Sequence, residues 1–169
     1  MAPPWRNRQA PRPAGAGVPA HWLMKSEPET YSIDDLARDG RTDWTGVRNF
    51  KARNWMKEMK VGDKVLFYHS NADPPGAAGV AEVCAEAHAD RTQYDAKSDY
   101  FEPKATKEKP YWYCPDIRFV AKFARLVPLQ ELRDSDALTG MLLTSGKASR
   151  LSVQPVDKKH FDAIVKMGG

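Results

Sequence analysis

The chain has 169 residues, 41% of them hydrophobic, which is enough for one domain with a real core. Its formal charge of +4 is unevenly held: Arg6, Arg8 and Arg12 lie in residues 1–20 with no acid, so 23 of the 26 basic side chains face 22 acidic ones in the remainder. A nearly neutral body argues against a positively coated protein that grips long nucleic acid non-specifically, and no run approaches the ~20 apolar residues of a membrane-spanning helix.

Residues 1–20 combine five prolines, five alanines and two glycines. That composition reads as a flexible tail, without the apolar h-region of a secretory signal. Residues 21–169 read as a single domain. "HWLMK" is a short strand stopped by Pro28. "SIDDLARDG" is a short helix, with Ser32 as N-cap, Asp35 at the capping-box position and Gly40 past its end. "WTGVRN" is irregular because of Gly46. In "NFKARNWMKEMKVG" a helical face carries Ala52, Trp55 or Met56, and Met59, and Gly62 ends the helix.

"DKVLFYHSN" is a strand that turns at "NADPPGAAG" into a second, bent strand, "GVAEVCAEAHAD". Residues 90–110 form a long polar excursion, a type of loop that often carries function. In "YWYCPDIRFVAKFARLV" Ile117, Phe119, Ala121 and Phe123 alternate with Arg118 and Lys122, which predicts a strand. "PLQELRDS" is a short helix, "RLSVQPV" a last strand, and "DKKHFDAIVKMG" a closing helix capped by Asp157 with Phe161, Ile164 and Val165 inward. The order of elements predicts an α+β fold with a curled sheet or small β-barrel.

The chemistry-bearing residues exclude several classes. The four histidines and two cysteines have no metal-ligand spacing, so no metal is expected. No phosphate-binding glycine motif appears, so no nucleotide cofactor is expected. His69 and Ser70 are strand neighbours that point to opposite faces and cannot pair as base and nucleophile. Cys84 and Cys114 suit two inert thiols in a reducing compartment. What remains is an aromatic and polar cluster: Trp22, Trp44, Trp55, Tyr68 and Trp112, together with arginines and asparagines. Indoles stack on planar bases, and fixed donors and acceptors read base edges.

"WLMKSEPETYSIDDL", "WTGVRNFKARN", "MKVGDKVLFYHSN", "GVAEV" and "SVQPV" resemble, in order over residues 21–166, the successive motifs of the EVE domain family. The resemblance implies a PUA-like fold, a small β-barrel with short surrounding helices, and kinship with YTH domains, which read methylated adenine in RNA. It implies that Trp44 stacks on a flipped base and that Lys25, Ser26 and Glu27 lie where polar groups read the base edge. Thr45 and Gly46 would present backbone groups to the same edge. Arg48, Asn49, Arg53 and Asn54 would form the rim, toward phosphate or sugar, or buttress the pocket. Tyr68, His69 and Ser70 would line the opposite wall. The second wall of the cage stays open among Tyr94, Tyr100, Phe101, Tyr111 and Trp112. Glu27 stands where YTH domains use an amide, and a carboxylate suits a base edge that donates, such as the N4 amine of cytosine.

The expectation is a non-catalytic reader of a modified nucleobase, modified cytosine in DNA foremost or a modified RNA base. Its partner would be nucleic acid carrying that base, with no cofactor and no membrane. The protein would be a monomer, cytoplasmic, or nuclear in a eukaryote. An alternative is a PUA-type module for structured RNA, using the basic face around Arg48–Lys64 and the arginine tail. A third reading is an enzyme acting on a modified nucleotide, with Glu27 or His69 as base.

Overall fold

A computed structural model describes residues 19–148 and 150–169. The flexible-tail reading therefore lies, except for residues 19 and 20, outside the described residues. Six strands form one mixed sheet: β1 (His21–Ser26), β2 (Arg41–Asp43), β3 (Lys64–His69), β4 (Gly76–Ala89), β5 (Tyr113–Pro128) and β6 (Val153–Val156). Their order is β2-β5-β4-β3-β1-β6, with β1 and β3 parallel and every other neighbouring pair antiparallel. The class is α+β. The two edges, β2 and β6, do not pair, so the six strands form an open sheet and not a closed barrel.

Four helices cover the sheet: α1 (Ile33–Asp39), α2 (Phe50–Glu58), α3 (Leu129–Asp134) and α4 (Lys158–Gly168). The strands alternate between two cores. Trp22, Met24, Val65 and Phe67 face Ile33 and Leu36 of α1 and Ala52 and Met56 of α2. Leu23, Leu66 and Tyr68 face Leu132 of α3 and Phe161 and Ile164 of α4. With both faces buried, β1 and β3 read as continuous apolar runs. Among the described residues no helix is long and apolar enough to cross a membrane.

Helix α1 carries the expected caps. Ser32 Oγ accepts from the Asp35 amide at 3.1 Å, Asp35 Oδ2 accepts from the Ser32 amide at 2.9 Å, and Gly40 closes the helix at φ +81°. Three readings need correction. The strand β2 was not foreseen, because "RTD" has no apolar pattern and exists through its pairing with β5. Asp157 occupies the N-cap of α4 without a side-chain capping bond. On β5 the alternation breaks: Ile117 and Phe119 enter the first core, whereas Val120 and Phe123 enter the second. The register against β4 slips there, from Val80 opposite Ala121 to Ala81 opposite Phe119, and one inserted residue reverses which face later side chains occupy.

Candidate functional site

A cavity of about 580 Å³ opens beyond the end of β1. Its lining comes from Lys25, Ser26 and Glu27, from Thr30 and Tyr31 ahead of α1, from residues 42–49 at the end of β2 and in the connection to α2, from Arg91 and Tyr100 of the long excursion, and from Arg150 and Ser152 ahead of β6. Local bonds hold these pieces together. The Lys25 amide donates to the Ser152 carbonyl at 2.8 Å, and Ser26 Oγ donates to the Tyr31 carbonyl at 2.6 Å. Glu27 Oε1 accepts from Asn71 Nδ2 at 2.7 Å.

Trp44 directly follows β2, its amide donating to the Pro115 carbonyl at 3.0 Å. It is only 7% exposed and meets Phe67 edge-on at 5.6 Å between ring centroids. It therefore belongs to the first core and lines the cavity as well. Burial lowers the Lys25 ammonium's affinity for its proton. Burial, then the hydrogen bond to Asp39, pushes the Tyr31 hydroxyl up to about 12, so it stays a neutral donor.

One wall is organised by Asp90, whose side chain is 2% exposed. It accepts from the Gly46 amide at 2.8 Å, from Arg48 Nη1 at 3.0 Å, and from the amide and hydroxyl of Thr92 at 2.8 and 2.5 Å. Burial alone would raise its pKa, but the bonds from Thr92, Gly46 and Arg48 outweigh it and hold the carboxyl below its ordinary value. Arg48 also donates to the carbonyls of Val47 and Tyr100 and to Thr92 Oγ1, and its guanidinium lies 5.3 Å from the Tyr100 ring centroid and 5.2 Å from that of Trp112. Gly46 sits at φ +91°, and a Cβ there would come within 2.8 Å of the Tyr100 ring. Glycine thus permits both the backbone turn and the approach of Tyr100.

Eight of the thirteen sequence-predicted residues line the cavity: Lys25, Ser26, Glu27, Trp44, Thr45, Gly46, Arg48 and Asn49. Their groups are less open than expected. The Gly46 amide is committed to Asp90, and Asn49 Oδ1 caps α2 by accepting from the Ala52 amide at 2.9 Å, leaving its Nδ2 donors. Arg48 is bonded to Asp90, Thr92 and the carbonyls of Val47 and Tyr100, and so buttresses the wall. The other five do not line it. Arg53 donates to the Tyr111 carbonyl and to Asn54 Oδ1, because the α2 helix turns both outward. Tyr68 belongs to the second core, on the other face of the sheet. His69 Nε2 accepts from the Ile33 amide at 3.1 Å and so caps α1, and burial lowers its pKa. The Ser70 amide closes onto the Ser26 carbonyl at 3.0 Å.

Sequence reasoning missed Tyr31, Thr42, Asp43, Arg91, Arg150 and Ser152. Of the open candidates for the second wall, Tyr100 reaches the cavity, whereas Tyr94, Phe101, Tyr111 and Trp112 do not line it. The lining includes four cationic residues, Lys25, Arg48, Arg91 and Arg150, but Arg48 is paired with Asp90, Arg91 with Asp43 at 2.8 Å, and Lys25 Nζ lies 5.9 Å from the ring centroid of Tyr68. Among the described residues no three His, Cys, Asp or Glu side chains gather as metal ligands.

The EVE domain family model matches residues 20–167. The chain belongs to the EVE domain family. The domain is 38% identical over 166 residues to thymocyte nuclear protein 1 of Gallus gallus, covering 87% of this chain and 68% of that one. A hypothetical protein from Leishmania major superposes with a TM-score of 0.85 at 49% identity, covering 89% of this chain and 95% of the other. Human THYN1 protein, solved in complex with 5-methylcytosine containing DNA, superposes at 0.82 with 36% identity, covering 88% of this EVE domain chain and 97% of its own.

Proposed function

We propose that this EVE domain binds DNA carrying a modified cytosine and receives that base, turned out of its strand, in the cavity over Trp44. The observation that carries the reading is the cavity itself, lined by Trp44, Tyr31 and Tyr100 together with polar and cationic residues. Its volume falls in the range of about 300–1,000 Å³ typical of small-ligand sites. The human relative solved with 5-methylcytosine containing DNA supports the choice of ligand. Glu27 has one carboxylate oxygen bonded to Asn71 and a second able to accept from the N4 amine of cytosine. Arg91 and Arg150 complement the adjoining phosphates.

Binding without turnover is part of the proposal. Ser26 Oγ donates to the Tyr31 carbonyl, and His69 lies outside the cavity with Nε2 engaged by α1, so neither is arranged as nucleophile or base.

Fluorescence anisotropy at fixed salt tests the reading, with matched oligonucleotides bearing 5-methylcytosine or cytosine. Tyr100→Ala removes the ring but leaves the carbonyl that Arg48 uses. The expected result is a preference for the modified strand, weakened by Tyr100→Ala by about 1–3 kcal/mol. Equal affinity for both strands, unmoved by Tyr100→Ala, refutes it.

A further inference from the structure

The exposed side chain of Phe50 stands beside the cavity and is not explained by it. Phe50 is the first residue of α2, directly after Asn49 of the lining, and is 55% exposed. A large apolar side chain at a helix start normally turns inward; this one is held outside. Its ring stacks on Trp112 at 4.8 Å between centroids and 21° between planes. The Arg53 guanidinium lies 4.8 Å from the Phe50 centroid and is pinned by the Tyr111 carbonyl. Trp112 in turn meets Arg48, and Arg48 meets Tyr100. An unbroken chain of ring and guanidinium contacts therefore runs from the cavity wall to the surface, ending in Phe50 and Arg53.

Around this end α2 presents Lys51 and Arg53, with no acid in its first turn. An exposed, pre-oriented ring amid cations next to a base cavity matches the chemistry of a nucleotide, with stacking surface for the base and positive charge for the phosphate. We propose that Phe50 and the Arg53 guanidinium lying over its ring form a stacking platform for the base adjacent to the one in the cavity, with Lys51 beside the intervening phosphate. The inference rests on the function proposed above and adds a second contact to it. A base turned out of its strand leaves its neighbours unstacked, and Phe50 would replace part of that lost stacking.

The test is a double-mutant cycle on DNA. Wild type, Phe50→Ala and Phe50→Leu are titrated against single strands carrying one 5-methylcytosine, with the adjacent nucleotide on either side intact or abasic. Phe50→Leu keeps apolar contact with Trp112 while removing the aromatic face, and melting curves verify that each variant folds. Wild type should lose roughly ten-fold in affinity when one neighbour is abasic, and Phe50→Ala should lose a similar factor on the intact strand. The two losses should not add, because they remove the same contact. Fully additive losses at both neighbours, or Phe50→Leu and Phe50→Ala binding the intact strand like wild type, overturn the platform. If those variants keep the preference for 5-methylcytosine, the cavity reading survives that result. If wild type shows no such preference, both fall.

Discussion

Asp90→Asn tests the organisation of the cavity wall. The substitution keeps shape but removes the charge, and it places an amide donor among groups that all donate: the Gly46 and Thr92 amides, the Thr92 hydroxyl and Arg48. Breaking a buried ion pair by removing one partner costs about 3–5 kcal/mol. Arg48 keeps the carbonyls of Val47 and Tyr100, so the lower end, about 3 kcal/mol, applies. For a chain of this size that lowers the melting temperature by about 6–12 °C. The Asp90 carboxyl is held below its ordinary value, so its contribution is full above the ordinary carboxylate range and is lost as pH falls through the folded value. The difference between wild type and Asp90→Asn should be greatest near pH 7 and shrink below about pH 4. Thermal and urea melts at both pH values measure it. Equal stability at pH 7, or a difference that widens on acidification, refutes the hub.

Trp44→Ala should destabilise the fold by about 3–5 kcal/mol, since the ring is a core residue as well as part of the cavity lining; Trp44→Phe is the substitution that tests binding, and urea melts separate the two effects. Glu82→Gln should cost about 3 kcal/mol in urea titration, because the buried carboxylate joins Lys64 to Arg118, which bonds it at 2.8 Å. The His88 side chain is 45% exposed and its Nε2 lies 2.7 Å from Asp116 Oδ1. Burial opposes its protonation, but the bonds to Asp116 and to the Ala89 carbonyl outweigh it and raise the pKa. Its contribution is therefore full below about pH 6.5 and lost as pH rises through the folded value. His88→Asn should lower the urea midpoint slightly at pH 5.5 and not at pH 8.5, the effect being small because solvent screens the pair.

What could be read from the sequence was local. The Ser32–Asp35 box and Gly40 lie within one helix and its caps, and the structure forms them as the residue types dictate. Trp44 was separable from the following helix because Gly46 interrupts the pattern. Asn49 carried a readable signal that was given to the ligand: an amide three residues ahead of Ala52 at a helix start is a cap. The remaining features depend on distant partners. Nothing near Arg48 announces Asp90, 42 positions on. Nothing near Tyr100 announces that Gly46 leaves room for its ring. His69 reads as a strand residue beside a serine, and only packing brings its Nε2 to the start of α1. The strand β2 and the slipped register of β5 come from pairing between strands and leave no periodic mark in either segment.

The pairing of β6 with β1 sets His21 opposite Val156, so the first strand of the sheet has as its neighbour the last. During synthesis β1 emerges early and its parallel partner β3 soon after, but the edge that β1 presents to β6 stays bare until residues 153–156 have left the ribosome. Arg150 and Ser152, which close one side of the cavity, arrive with that final strand. The site is therefore among the last parts of the domain to form. A polypeptide cut short before residue 150 would lack that side of the cavity together with β6 and α4, whose Val153, Phe161 and Ile164 are buried in the two cores.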